Sequence, residues 1–165
     1  MIIVLMGVSG CGKSTIGAAL AAALNWPFLD ADDFHPPENV AKMAAGIPLT
    51  DADRWPWLDR TVANVRGTIG DRGNAVLACS ALKQAYRDRL RPAGDLRFVH
   101  LSGDRATIMA RLATRHHRYM PATLLDSQFA TLEVPQDALR VDIRNSVAVQ
   151  VQTIIDALQL HATEP

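Results

Sequence analysis

A glycine-rich segment near the amino terminus carries a lysine and a serine at the spacing used to bind phosphate groups. It reads Gly7-Val8-Ser9-Gly10-Cys11-Gly12-Lys13-Ser14, is followed by Thr15, and matches G-x-x-x-x-G-K-[ST] at every fixed position. Glycine lets main-chain N–H groups point inward around an anion, and the following helix adds its positive dipole end. Lys13 then reaches the β- and γ-phosphates, and the Ser14 hydroxyl is a ligand for Mg²⁺. The segment predicts binding of a nucleoside triphosphate.

Acidic residues form a second group with chemical potential. Asp30 and Asp32 stand where the short apolar segment 27–30 ends, and such an end faces the phosphate loop in a parallel sheet. We predict that Asp32 holds an acceptor hydroxyl and takes its proton, and that Asp30 orients Mg²⁺ through water. The alternative for either carboxylate is that it only caps the turn that follows.

Alternating apolar strands and helices must position these groups. Apolar segments predict five strands, at 1–6, 27–30, 75–79, 96–101 and 139–143. Helical periodicity and end signals predict helices after the phosphate loop, from Pro36 and Pro37 to a cap at Gly46, through 58–69, 86–90 and 104–114, from Pro121 to Leu132, and after the cap Ser146. The order indicates an α/β protein with a parallel sheet between two helical layers.

Composition limits the class of partner. The chain has 165 residues, enough for one domain over 1–165, with 17 basic and 17 acidic residues. This balance argues against nucleic acid or an acidic membrane as partner and favours a small molecule. The two cysteines do not form a C-x-x-C pair, which argues against a zinc ribbon. The first residues have no cationic flank and no cleavage site of a signal peptide, so we expect a cytoplasmic protein.

Two common classes of phosphate-loop protein are disfavoured. A Ras-type GTPase carries an N-K-x-D motif, which this sequence lacks, and many ATPases have a strand ending in Asp where this chain has Cys79-Ser80. The small kinases remain, in which the acceptor binds after the second strand and an arginine-bearing lid closes over the phosphates.

Long strings of this sequence resemble the small P-loop type of gluconokinase, the thermoresistant gluconokinase family. Beyond the phosphate loop, they are Asp30-x-Asp32-Asp33-Phe34-His35-Pro36, Asn39-x-x-Lys42-Met43-x-x-Gly46-x-Pro48-Leu49-x-Asp51-x-Asp53-Arg54-x-Pro56-Trp57-Leu58, Cys79-Ser80-Ala81-Leu82-Lys83-x-x-Tyr86-Arg87 and Ser127-Gln128-Phe129-x-x-Leu132-Glu133-x-Pro135. The resemblance implies a nucleoside-monophosphate-kinase-like three-layer α/β/α fold with a five-stranded parallel sheet and a lid. It implies ATP-dependent phosphorylation of D-gluconate to 6-phospho-D-gluconate, with Mg²⁺, in the cytoplasm, by a homodimer.

Gluconate carries a carboxylate and a row of hydroxyls, so its site requires a cation with mixed donors and acceptors. Arg54 gives a planar two-point grip on a carboxylate, which a lysine does not reproduce. We predict that Asp32, His35, Lys83 and Arg87 also bind the substrate. For Arg87 the alternative is a solvated helix face.

Arg111 and Arg115 lie four residues apart, on one face of a predicted helix that leads to a lid at about 115–121. Small kinases commonly use such arginines to stabilise the transferring phosphoryl group and to flank adenine, which predicts catalytic roles for both and a nucleotide contact for Arg111. The alternative is solvated charge opposite an apolar face. After Arg115 the family usually has Lys/Glu-Gly-His-Phe, whereas this chain has His116-His117-Arg118-Tyr119.

Two further functions stay open from the sequence. One is a kinase for another sugar acid or for shikimate, because the shikimate kinases share the phosphate loop and the D-x-D pattern. The other is a nucleotide-binding regulatory module without turnover, which the lid departure favours.

Overall fold

A five-stranded parallel sheet forms the centre of the computed structural model, which describes residues 1–70, 73–114 and 124–162. Its strands are β1 (Ile2–Met6), β2 (Phe28–Asp30), β3 (Ala75–Ala78), β4 (Leu96–Ser102) and β5 (Leu139–Asp142). They lie in the order β2-β3-β1-β4-β5. From β1 at the centre, the chain forms β2 and β3 on one side of the sheet and then β4 and β5 on the other. In sheets of this kind the connections diverge at the carboxyl end of the central strand and leave a crevice in which ligands bind.

Helices connect these strands. They are α1 (Lys13–Leu24), α2 (Pro37–Ala44), α3 (Asp51–Ile69), α4 (Gln84–Leu90), α5 (Arg105–Thr114), α6 (Leu125–Thr131) and α7 (Val147–Leu158), with 3-10 turns at Ala31–Phe34 and Arg91–Ala93. No helix in these parts of the chain combines the length and apolarity needed to cross a membrane.

The two faces of β1 show why the helices form two layers. Ile3 and Leu5 are buried on one face, in a core shared with α1, α5, α6 and α7. Ile2, Val4 and Met6 are buried on the other face, in a core shared with α3 and α4. Both faces of the sheet are covered, as expected for parallel strands, and the predicted three-layer α/β/α fold is confirmed.

The predicted helix ends are also found. The Ser146 hydroxyl accepts a hydrogen bond from the Val149 amide at 3.3 Å and caps α7. Gly46 follows α2 with a φ of 73°, a left-handed conformation that favours glycine. Helix α6 begins at Leu125, whereas the predicted start at Pro121 lies outside the described residues.

An ion pair and a cap join α2 to the start of α3. Lys42 Nζ lies 2.8 and 2.9 Å from the two carboxylate oxygens of Asp53, and the Asn39 side-chain amide donates to the Asp53 carbonyl at 2.9 Å. Asp53 and Thr50 also form a reciprocal capping box. These bonds fix the connection that forms one wall of the crevice.

The Asp53 carboxylate should make stability depend on acid. Hydrogen bonds from Lys42 and Thr50 lower its pKa from 3.8 to about 2. Since the folded pKa is depressed, its contribution to stability is present above pH about 4 and is lost as the pH falls toward 2. We expect the urea midpoint to fall between pH 6 and pH 2.5 by less in Asp53→Asn than in the wild type. Equal losses in the two proteins would contradict this role.

Candidate active site

The phosphate loop connects β1 to α1, and close packing requires its glycines. Gly7 has a φ of 141°, and a Cβ there would lie 2.8 Å from the Leu101 carbonyl oxygen of β4. Gly12, with a φ of 102°, precedes α1, and no side chain in the described part of the protein caps this helix. The first N–H groups of α1 and its positive dipole end therefore suit an anion.

Two side chains of this loop lie against defined oxygen atoms. Lys13 Nζ donates to the carbonyl oxygens of Gly7 and Val8, each at 3.1 Å, so its charge lies across the loop. The Ser14 hydroxyl donates to Asp30 Oδ2 at 2.5 Å. The other oxygen of Asp30 accepts from the Asp32 amide at 3.1 Å. Asp30 thus caps the turn after β2, as the alternative proposed, and also contacts the predicted metal ligand Ser14.

A cleft beside the phosphate loop brings Lys13 together with Asp32, His35 and Arg54, three of the five residues that were predicted to bind the acceptor. The cleft encloses about 570 Å³, part of it open to solvent. Its other lining residues are Ser9, Met43, Pro48, Leu49, Ser80, Leu124, Ser127 and Gln128. A small polar molecule in this cleft lies between the phosphate loop and the start of α3.

Asp32 lies beside Lys13 in an environment that favours its protonated form. Its side chain is 53% exposed, toward the cleft. The surrounding protein raises the pKa of this carboxyl by desolvation, Lys13 opposes that effect, and the charges of Asp30 and Asp33 add to it. A carboxylate with a raised pKa is a better proton acceptor than an ordinary aspartate.

His35 is almost enclosed and uncharged. Its side chain is 4% exposed and stacks on the buried Trp57 ring, with centroids 4.2 Å apart and planes 13° apart. Burial and the nearby Arg54 charge lower its pKa from 6.5 to about 4. The Trp57 indole donates to the Ala31 carbonyl at 2.6 Å, which ties α3 to the turn that carries Asp32. His35 is therefore a neutral hydrogen-bonding group at neutral pH.

Arg54 presents a cation with unused hydrogen-bonding capacity. Its guanidinium carbon lies 5.2 Å from the centroid of the Tyr86 ring. Its Nε atom is buried and has no hydrogen-bond partner among the described residues. A buried donor without a partner carries a free-energy cost that a bound anion removes. Arg54 thus fits the predicted contact with a carboxylate.

Lys83 and Arg87 are not among the residues that line this cleft. Lys83 Nζ contacts both Asp51 oxygens, at 2.9 and 3.1 Å, and the Tyr86 hydroxyl donates to the same carboxylate. The Arg87 side chain turns inward instead of facing solvent, and donates to the carbonyls of Ala81 at 2.9 Å and Leu82 at 3.2 Å. The structure thus places Arg87 under the turn after β3, because burial and carbonyl acceptors satisfy its guanidinium there.

A second cavity, of about 720 Å³ with its solvent-open part, lies on the other side of the loop. Arg111 lines it and donates to the Ile143 carbonyl. The other lining residues come from the phosphate loop, from α1 and from the start of α7: Cys11, Gly12, Thr15, Ile16, Asn145, Ser146, Val147 and Gln150. Arg111 therefore lies between the phosphate loop and the start of α7, while Arg115 and the predicted lid at 115–121 fall outside the described residues.

Sequence reasoning missed two side-chain contacts, one that joins α6 to the phosphate loop and one that joins the segment after α6 to the start of α4. Gln128 Oε1 accepts from the Ser9 amide at 2.6 Å, and Glu133 Oε2 accepts from the Gln84 amide at 2.6 Å. Both residues belong to the strings that resemble the gluconokinases. The match to those strings indicated that the two residues matter, but it could not show what they contact. Ser9 and Gln128 are 119 positions apart, so no local sequence pattern predicts their hydrogen bond.

The fold and the site together define a P-loop kinase with a small-molecule acceptor. A family model described as Shikimate kinase matches residues 9–154. The thermosensitive gluconokinase of Escherichia coli (strain K12) is 45% identical, over 88% of this chain and 80% of that protein. The gluconokinase of Gluconobacter oxydans (strain 621H) is 49% identical, over 82% of this chain and 76% of that protein.

The solved structures agree. The crystal structure of a gluconokinase from Sinorhizobium meliloti 1021 has a TM-score of 0.83 and 44% identity, covering 95% of this chain and 90% of that one. The chain belongs to the gluconokinase family, within the wider group that the shikimate kinase model describes.

Replacing Lys13 tests the phosphate loop. In Lys13→Met the loop loses its point charge but keeps an aliphatic side chain, so we expect kcat/KM to fall roughly 10²- to 10³-fold. A coupled ADP-release assay measures this, and circular dichroism checks the fold. The native rate in a folded variant would contradict the assigned role.

Replacing Asp32 tests the proton acceptor. We expect Asp32→Asn to lose turnover with little change in ATP affinity. In the wild type, the rate should fall as the pH drops through the raised Asp32 pKa, because protonation removes the base. The neighbouring Asp33→Asn is the matched control: it should retain turnover, and its acid limb should move to lower pH because one acid that raises the Asp32 pKa is gone. Full turnover by Asp32→Asn would exclude the assignment.

Proposed function

We propose that this protein transfers the γ-phosphoryl group of ATP to the 6-hydroxyl of D-gluconate and gives 6-phospho-D-gluconate and ADP. The observation that carries the proposal is one cleft in which a base, Asp32, and an anion-binding cation, Arg54, lie beside Lys13 of the phosphate loop. The relatives at 45% and 49% identity are gluconokinases, which supports gluconate as the acceptor.

In this mechanism, positioning and charge do most of the work. The substrate hydroxyl forms a bond to the γ-phosphorus, the bond from that phosphorus to the β-γ bridging oxygen breaks, and Asp32 takes the hydroxyl proton. Lys13 and the main-chain N–H groups at the start of α1 hold the phosphate charge. Arg111 borders the cavity proposed for the nucleotide base and, together with Arg115, is proposed to stabilise the transferring group.

Ser14 and Asp30 fit a magnesium ion held jointly with phosphate. Mg²⁺ prefers hard oxygen ligands and commonly uses only one or two from the protein. The hydroxyl and carboxylate of this pair meet at 2.5 Å, whereas no group of three His, Cys, Asp or Glu side chains suited to a metal occurs in the described ranges. When bound, the ion neutralises phosphate charge.

The charge distribution supports Arg54 as the group that binds the gluconate carboxylate. Lys83 is paired with Asp51 and Lys42 with Asp53, so these two ammonium charges are already balanced by neighbouring carboxylates. Arg54 faces the cleft, with its Nε unsatisfied among the described residues. A guanidinium donates two parallel hydrogen bonds to a carboxylate, which suits one end of a sugar acid.

A second candidate acceptor is shikimate, because the family model that matches residues 9–154 is described as Shikimate kinase. Both molecules combine a carboxylate with hydroxyls. A panel of gluconate, its epimers, shikimate and nucleoside monophosphates, assayed for ADP release, separates them. Gluconate should give the highest kcat/KM, and preference for another acceptor would overturn the proposed substrate.

The cytoplasmic location and the homodimer are proposed from the family resemblance. Sedimentation equilibrium of the purified protein measures its mass in solution and so tests the homodimer.

Arg54→Lys tests the carboxylate contact. The lysine keeps the charge but loses the planar pair of donors, so we expect KM for gluconate to rise roughly 10- to 100-fold while KM for ATP changes little. Arg60→Lys, an exposed substitution on the same helix, is the matched control and should leave both constants unchanged. An unchanged KM for gluconate in Arg54→Lys would rule out the two-point grip.

A further inference from the structure

The His35 ring is held in one place by a stack and by one side-chain neighbour. Trp57 covers one face of the ring at 4.2 Å. Asn39, one helical turn further along the chain and 3% exposed, places its side-chain nitrogen 3.3 Å from His35 Nδ1. His35 Nε2 lies on the cleft side, 3.9 Å from Asp32 Oδ1. The two ring nitrogens thus face different partners.

The backbone of α3 determines which end of the Asn39 amide faces the ring. The Asn39 side-chain nitrogen lies 2.9 Å from the Asp53 carbonyl oxygen, which only accepts hydrogen bonds. The NH₂ group must therefore face Asp53, because the amide oxygen in that position would oppose another oxygen. The same nitrogen has a second hydrogen, and His35 Nδ1 lies within its reach.

Accepting that second hydrogen requires His35 Nδ1 to carry no proton. A neutral imidazole has one N–H, so the proton lies on Nε2. Burial against Trp57 and the Arg54 charge keep the ring neutral above pH about 4. The result is an N–H donor that faces the cleft beside the Asp32 carboxylate, which accepts.

We propose that Asn39 fixes His35 in the Nε2–H tautomer, and that this N–H donates to the oxygen of the substrate hydroxyl whose proton points at Asp32. The inference rests on the proposed function and adds the way in which the acceptor is held. A hydroxyl both accepts and donates, so it fits between these two groups in one orientation. The 3.9 Å between Nε2 and Oδ1 exceeds a direct hydrogen bond, and both groups thus keep hydrogen-bonding capacity for a ligand. Asn39 is a positioning residue here, since it acts through His35.

Nitrogen-15 NMR of the unsubstituted protein at pH 7 tests the tautomer directly. Long-range ¹H–¹⁵N correlation distinguishes a protonated from an unprotonated ring nitrogen, and the spectrum of His35→Gln identifies the His35 signals. We expect a protonated Nε2 and an unprotonated Nδ1. A proton on Nδ1, or a ring that exchanges between both forms, would overturn the proposal.

The variant Asn39→Asp tests the positioning role. A carboxylate at this position accepts from the ring, so the same spectrum should show the proton moved to Nδ1 or present on both nitrogens. An unchanged His35 spectrum in the folded variant would show that Asn39 does not set the tautomer. If Asn39→Asp does not fold, the wild-type spectrum still decides the first claim.

Two substitutions of His35 test the contact with substrate. His35→Phe keeps an aromatic ring on Trp57 but has no donor, so KM for gluconate should rise roughly tenfold. His35→Gln presents an amide N–H near the position of Nε2 and should recover most of that loss. Unchanged kinetics in His35→Phe, or equal losses in both folded variants, would overturn the donor role. Absence of gluconate-dependent ADP release by the wild type would instead refute the proposed function, and the NMR result would stand apart from it.

Discussion

The start of α1 is the constraint on which the rest of the structure depends. Helices α3 and α7 begin with side-chain caps from Thr50 and Ser146, but α1 begins after Gly12 without one among the described residues. Its first N–H groups need an acceptor, which a phosphate supplies. The loop must also pass close to β4, where the Leu101 carbonyl leaves no space for a side chain at Gly7. The same packing that forms the central sheet therefore shapes the anion site.

Two cations that do not line the cleft stabilise segments next to it. Lys83 is bound by Asp51, and Arg87 by the carbonyls of Ala81 and Leu82. The latter contacts support a turn in which Ala81 has a φ of 43° and from which Ser80 lines the cleft. Arg54 differs, because it lines the cleft and its Nε has no partner in the described part of the chain. Lys83 and Arg87 are thus used in contacts within the protein, whereas Arg54 keeps a hydrogen-bond donor for the ligand that we propose.

Local signals were enough to predict the fold and the phosphate loop. The strands are short apolar segments between turns, and Ser146 and Gly46 mark helix ends by their own chemistry, so their positions follow from neighbours in sequence. Arg87 was different, since helical periodicity does not show that its guanidinium reaches back to two carbonyls of the preceding turn. Gln128 reaches Ser9 only because α6 packs beside the loop. Contacts that depend on how elements pack cannot be derived from either element alone.

The electrostatics of Asp32 explain why a neutral histidine suits this position. Desolvation and two neighbouring acids raise the Asp32 pKa, while the charge of Lys13 acts in the opposite direction and lowers it. A charged imidazole at 3.9 Å would favour the carboxylate so strongly that it became a weaker proton acceptor. Stacking on Trp57 and the nearby Arg54 prevent that charge, yet they leave the ring able to donate a hydrogen bond. Arg54 therefore has two effects on the cleft, because its charge suits a carboxylate and, together with burial, keeps His35 neutral beside Asp32, the proposed base.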